Sequence, residues 1–206
     1  ISNMASNTVA DPVPEAGKPG GLSLAWEIPP VHQTAVLGAD GQTYTRLQAE
    51  GYQNDGAPGA PSLPRQGHLL AVPPQGDIWL EVIDVAYDTL TLDHPVAPAP
   101  APAPLTWDAA GRPVPGGWTF AYDAAAYTAT DPSPAQFVTL DPPVWMRDHR
   151  LVRLILTPVR YHPTANTLDV LRRVRVRVHW TAPPEADTAA VAASEPRPFE
   201  AVLAGQ

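Results

Sequence analysis

Arg147-Asp148-His149-Arg150-Leu151-Val152-Arg153-Leu154-Ile155-Leu156-Thr157-Pro158-Val159-Arg160-Tyr161-His162-Pro163 runs, through a short polar break, into the segment Leu168 to Trp180. In that closing segment Val174, Val176, Val178 and Trp180 fall on one side, and Arg173, Arg175, Arg177 and His179 on the other. Side chains alternate across a strand with period two, so the segment is a half-buried strand with a basic outer face. Pro163 and Asn166 interrupt the ladder and predict a hairpin-like connection back to the preceding apolar run. A packed β-sandwich follows from this stretch more readily than a catalytic core.

Composition narrows the function. The 206 residues suit one domain with a real core plus terminal extensions. Asp and Glu outnumber Lys and Arg by 21 to 13, which argues against nucleic-acid binding, since phosphate neutralisation needs clustered positive charge. Cysteine is absent, so the chain has neither disulfides nor a thiol nucleophile. No apolar run approaches the ~20 residues that span a bilayer. Ile1-Ser2-Asn3-Met4 lacks the basic start of a signal peptide, and a secreted or cell-surface domain that begins after its signal is expected.

The 27 prolines argue against a helical fold, because proline breaks helices and leaves central ladders without a donor. They cluster at residues 11–21, 95–104 and 183–198. From these clusters we expect a flexible segment over 1–21, a β-sandwich over 22–181 and an Ala/Pro-rich tether over 182–206. Residues 95–104 alternate Pro with Ala or Val and predict an extended polyproline-type arm. Strands are predicted near residues 22–28, 35–37, 43–47, 68–72, 78–86, 89–92, 136–140, 151–159 and 168–180. Gly38-Ala39-Asp40-Gly41 makes a hairpin turn between the second and third. Many short strands joined by Gly/Pro turns give an all-β fold, an antiparallel β-sandwich or jelly roll with long Pro-rich loops.

Chemistry-bearing patterns are missing. The six histidines are scattered without zincin spacing, no serine sits in a Gly-x-Ser-x-Gly elbow, and the turn aspartates fit no EF-hand. We therefore expect no catalytic residue, metal or cofactor. The arginines of the last strand fit a solvated outer face that deters sheet-to-sheet association. Trp79 and Trp180 lie in strands and are expected in the core, whereas Trp107 and Trp118 lie in a Gly/Pro-rich loop and are candidate glycan contacts.

The order of these pieces resembles the prodomain of gingipain-like cysteine peptidases. An arginine-led strand enters Pro158-Val159-Arg160-Tyr161-His162-Pro163, and a strand alternating Val with polar residues follows it. Upstream, Gly56-Ala57-Pro58-Gly59-Ala60-Pro61-Ser62-Leu63-Pro64 is similar to a family segment, as is Leu69-Leu70-Ala71-Val72-Pro73, which precedes the strand from Ile78 to Val85. Tyr122 and Tyr127, ahead of Gln136-Phe137-Val138, sit where such prodomains carry a spaced aromatic pair. The likeness spans roughly Trp26 to Trp180.

The resemblance implies a non-catalytic propeptide of a secreted peptidase. Its partner would be the cognate cysteine peptidase catalytic domain of the same precursor, which it helps to fold and whose cleft it masks. Residues 95–118 carry no clear secondary structure, and loops this long are uncommon unless functional or disordered. In the family, a projecting loop at a similar place offers an arginine to the peptidase's specificity pocket. Arg112 matches by position, and Pro113 after it makes that bond a poor cleavage site. The plain alternative is a solvated loop cation. Arg197, or the pair Arg172-Arg173, are possible processing sites, though Pro198 follows Arg197 and the pair is expected in a strand. The rival function is a carbohydrate- or surface-binding β-sandwich module using Trp107 and Trp118.

Overall fold

The computed structural model describes residues 20–114 and 116–181, so Arg197 and most of the two terminal segments expected from the prolines lie outside the described residues. The strands are β1 (Gly21–Glu27), β2 (Val31–Leu37), β3 (Thr43–Ala49), β4 (Gln53–Asp55), β5 (Leu63–Val72) and β6 (Ile78–Thr91). Four two-residue strands follow: β7 (Ala101–Pro102), β8 (Thr106–Trp107), β9 (Pro113–Val114) and β10 (Trp118–Thr119). A short helix, α1 (Ala124–Thr128), precedes β11 (Val138–Leu140), β12 (Val144–Met146), β13 (His149–Leu156), β14 (Val159–His162) and β15 (Thr167–Trp180). The fold is an antiparallel all-β sandwich.

One sheet is organised on β15. Along one edge it pairs with β6 from Thr167 to Trp180, and along the other with β14 and then β1. The facing sheet is organised on β13, between β5 on one side and β11 and β12 on the other, with β4 beyond β5. Leu24, Trp26, Leu171, Val174, Val176 and Val178 of the first sheet pack on Val138, Leu154 and Leu156 of the second. The three valines are at most 2% exposed, and Arg173 and Arg175 are exposed, as the alternation requires. Trp180 is half-buried against the same core.

A bulge gives β15 two jobs. Leu171 faces Tyr87 and Arg173 faces Ala86, so Arg172 is one residue more than the partner strand supplies. An extra residue reverses which face even-numbered positions occupy. Leu168 and Val170 therefore point away from the sandwich core, into a second core with Val159, Tyr161, Leu47, Leu63, Val96 and Tyr127. Asp169 consequently shares the sandwich face with Leu171. It is 4% exposed and accepts hydrogen bonds from Thr89 Oγ1 (2.6 Å) and Arg160 Nη2 (2.8 Å), and it meets His162 Nε2 at 2.9 Å.

Four expectations need correcting. The run 151–159 is not one strand. Thr157-Pro158 carries the chain from the β13 sheet to the β15 sheet, so the hairpin around Pro163 and Asn166 joins only β14 to β15. The two strands expected over 78–86 and 89–92 are one, Ile78–Thr91, since Tyr87-Asp88 continue the ladder against β15. Trp79 is 48% exposed rather than core, because its parity places it with His179, on which it stacks at 5.1 Å. Residues 95–114 and 116–118 fold into a ribbon, and the extended polyproline-type arm expected over 95–104 is bonded into its base.

Candidate functional site

The ribbon is built outward from a root. In Pro95-Val96-Ala97-Pro98-Ala99-Pro100 the alanines donate their N–H groups while the prolines, having none, accept or pack. Ala97 N donates to Thr45 O (2.8 Å) and Ala99 N to Ala60 O (2.7 Å). Pro95 O accepts from Thr45 N (2.7 Å), and Ala99 O from Gly59 N (2.8 Å). Val96 is fully buried in the second core, so the Pro/Ala alternation is an extended segment clamped by isolated bridges, not a spacer.

Aromatic rings hold the other leg. Phe120 and Tyr122, just past β10, contact Tyr44 with ring centroids 6.2 and 6.5 Å apart. Tyr122 stacks on Tyr127 at 4.7 Å, and Tyr127 meets Tyr161 edge-on at 6.4 Å. Tyr127 also donates its hydroxyl to Val96 O (2.6 Å), tying the two legs together. Burial, with Tyr161, Tyr44 and Tyr122 nearby, pushes that hydroxyl's pKa well above the ordinary range, so it stays a neutral donor. Gly59 lies under the junction at φ +84°. A Cβ there would come 2.8 Å from Asp123 N and 3.0 Å from Tyr122 C, so only glycine admits this approach.

From this root two short ladders extend, β7 with β10 and then β8 with β9. Their tip is Asp108-Ala109-Ala110-Gly111-Arg112, closed by Asp108 N to Arg112 O and Gly111 N to Asp108 O, both 2.9 Å. Asp108 organises the tip. Its Oδ1 accepts from Ala110 N (2.9 Å) and Arg112 N (2.8 Å), and its Oδ2 from Arg112 Nε (2.9 Å). The Arg112 N–H, followed by its side chain and Ala110 N, holds the Asp108 carboxyl below its usual pKa range against a smaller opposing effect of burial. The Arg112 side chain is 79% exposed at the extremity of the ribbon. With Nε held by Asp108, the two terminal nitrogens of its planar fork are left to meet another group.

The other sequence candidates fall elsewhere. Trp107 and Trp118 are on the ribbon, 66% and 73% exposed, with Leu105 also exposed beside them. Arg172 and Arg173 lie in the middle of β15, Arg172 as the bulge against β6 and Arg173 paired on both edges, and their side chains meet Asp88 and Asp84. Sequence reasoning located Arg112 and the tryptophans on one loop but missed its root. Val96, Gly59 and Phe120 act through the backbone and through distant rings, and no periodic pattern marks them. Among the described residues, no three His, Asp or Glu side chains gather as a metal site needs, and no helix is long and apolar enough to cross a membrane.

Residues 22–194 match the family model Propeptide_C25, the gingipain propeptides. Among solved structures the chain is similar to one in a complex of Porphyromonas gingivalis RgpB pro- and mature domains. The two are 21% identical, 92% of each chain is covered, and the TM-score is 0.69. It is also similar to a chain from a structure concerned with the zymogenic latency of gingipain K from Porphyromonas gingivalis. There the identity is 20%, the coverage 85% of this chain and 95% of that one, and the TM-score 0.67. At these identities the likeness carries the fold. A search of curated proteins gave no match.

Proposed function

This chain belongs to the propeptide family of gingipain-type peptidases, and we propose that it keeps the peptidase of its own precursor latent by laying the ribbon across the active cleft. The observation that carries this reading is the ribbon itself: a clamped root, a tip shaped by Asp108, and an exposed arginine at the extremity. Arg112 enters the specificity pocket of an arginine-preferring partner and donates its terminal nitrogens to a carboxylate at the pocket floor. Asp108 holds Nε meanwhile, so the side chain is oriented before it docks and less rotamer entropy is lost. Pro113 after Arg112 disfavours cleavage at the tip. Residues 22–181 act as the masking domain of a secreted or cell-surface precursor. Release follows a cut outside the described residues, where Arg197 lies, because cutting at Arg172-Arg173 would require β15 to leave the sheet.

Inhibition constants of wild type, Arg112→Ala, Arg112→Lys and Arg175→Ala against the peptidase domain of the same precursor test the reading. Removing one partner of a desolvated charge pair leaves the other unpaired. Arg112→Ala should therefore weaken inhibition by about 2–5 kcal/mol, Arg112→Lys by less, and Arg175→Ala not at all. Wild-type inhibition by Arg112→Ala would overturn the tip mechanism. A glycan-array signal lost in Trp107→Ala or Trp118→Ala, with no effect on the peptidase, would favour a carbohydrate-binding module instead.

A further inference from the structure

On the outer face of β15, two of the four arginines are paired with acids where they stand. Arg172 pairs with Asp88, Arg173 with Asp84, and His179 meets Glu81. Among the described residues, only Arg65 of the three arginines beside the ribbon root has an acidic partner. One groove, about 390 Å³, runs from Pro98 and Pro100 of the root past Arg46, Gln48 and Tyr52 to Asn54. A second, about 620 Å³, continues from Asn54 along Asp55 and Arg65 to Gly67 and Arg153. The strip thus carries three guanidiniums against the one carboxylate of Asp55.

Neither the Arg46 nor the Arg153 side chain has an ion-pair or hydrogen-bond partner among the described residues. Arg65 reaches Asp55 only at 3.4 Å, and its Nε is buried without a partner. Arg153 packs over the β5 backbone where a glycine leaves room for it. Its guanidinium lies over Gly67 in the middle of β5, where a Cβ would come within 2.6 Å of Arg153 Nε. Glycine weakens a strand interior and often marks the close approach of another group. In a chain of net charge −8, an uncompensated basic strip runs against the overall balance.

We propose that this strip docks a carboxylate-lined surface of the peptidase domain while the ribbon tip occupies its cleft. The inference rests on the latency function above and names the second contact that accompanies it. The groove begins at the root prolines, so a partner engaged by the ribbon also faces the strip. Arginine suits the role, since its planar fork meets carboxylates bidentately. Oppositely charged patches steer encounter, so the strip should act on the association rate more than on the lifetime of the complex.

The test measures association and dissociation of the full chain with the peptidase domain of its own precursor, in low and in high salt. Arg46→Glu and Arg153→Glu, each folded by circular dichroism, should slow association by about 3–10-fold at low salt, with the difference lost at high salt. Their dissociation rates should stay near wild type, whereas Arg112→Ala should dissociate faster. Unchanged association in the Arg46→Glu/Arg153→Glu double variant, with Arg112→Ala still impaired, overturns the strip and leaves the latency function standing. If the wild-type chain does not bind the peptidase at all, both fall. Retention on heparin that the double variant loses, alongside unchanged association, would reassign the strip to a sulfated polysaccharide.

Discussion

β15 and the ribbon are both extended chain, yet they are fixed by opposite means. β15 is bonded along both edges, and its Val174, Val176 and Val178 lie against the facing sheet with at most 2% of their surface exposed. The ribbon has two short ladders of its own, while Leu105, Trp107 and Trp118 stand largely in solvent. It is held at its root by backbone bonds from Thr45, Gly59 and Ala60 and by the Tyr44–Tyr122–Tyr127 rings. The first arrangement puts side chains into the core and yields stability. The second leaves side chains free and yields reach, which suits a residue that must enter another protein.

If that division is right, the largest losses of stability arise along β15. Asp169→Asn should destabilise the domain by about 3 kcal/mol at neutral pH, because it weakens charge-assisted bonds from Arg160, Thr89 and His162 at a buried site. Burial pushes the Asp169 carboxyl upward, but bonds from His162, Thr89 and Arg160 outweigh it and hold the pKa below 3.8. A carboxyl lowered in the folded state adds stability above its unfolded pKa and loses it as pH falls through the folded value. Urea unfolding of wild type and Asp169→Asn should therefore differ most at pH 5–7 and converge below about pH 3.8. A gap that widens in acid would show that the Asp169 carboxyl is not stabilised as an anion. Val176→Ala should cost about 2 kcal/mol through lost burial and a cavity, against less than about 0.5 for the exposed Arg175→Ala. Equal costs would mean that the two faces of β15 are wrongly assigned.

This division also accounts for what the sequence disclosed. Alternation marked β15 because burial there is a side-chain property, repeating every second residue from Val174 to Val178. The bulge at Arg172 was hidden, because apolar residues occur at even positions on both sides of it and the change of face leaves the pattern intact. Residues 95–104 misled for a related reason. Val96 is buried once, without a period, and the bonds that clamp it come from Thr45 and Ala60, which are tens of residues away in the chain. The sequence pointed to Arg112 through the family likeness, while the carboxylate that aims it, four residues earlier, became evident only from geometry.

The root should yield a smaller and more local effect. Tyr127→Phe keeps the ring contacts but removes the hydroxyl that Val96 O accepts in a buried setting, at about 1 kcal/mol. Hydrogen exchange should quicken at Ala97 and Ala99 while the amides of β13 and β15 keep their protection. Uniform loss of protection would mean that root and sandwich unfold as one unit, and the contrast between them would collapse.

The smallest effect belongs to the tip. Arg112→Ala removes a side chain that is 79% exposed and an ion pair to Asp108 that is open to water, an interaction worth little in a fold. Thermal unfolding of Arg112→Ala should match wild type within about 0.5 kcal/mol. Asp108→Ala should unfold nearly alike, but it deletes the acceptor of three bonds that shape the turn. The pair separates two roles that inhibition alone would merge. If Asp108 only orients Arg112, its loss should weaken inhibition partway, and combining both substitutions should add nothing beyond Arg112→Ala. Full additivity in a double-mutant cycle would instead mean that Asp108 meets the peptidase on its own account.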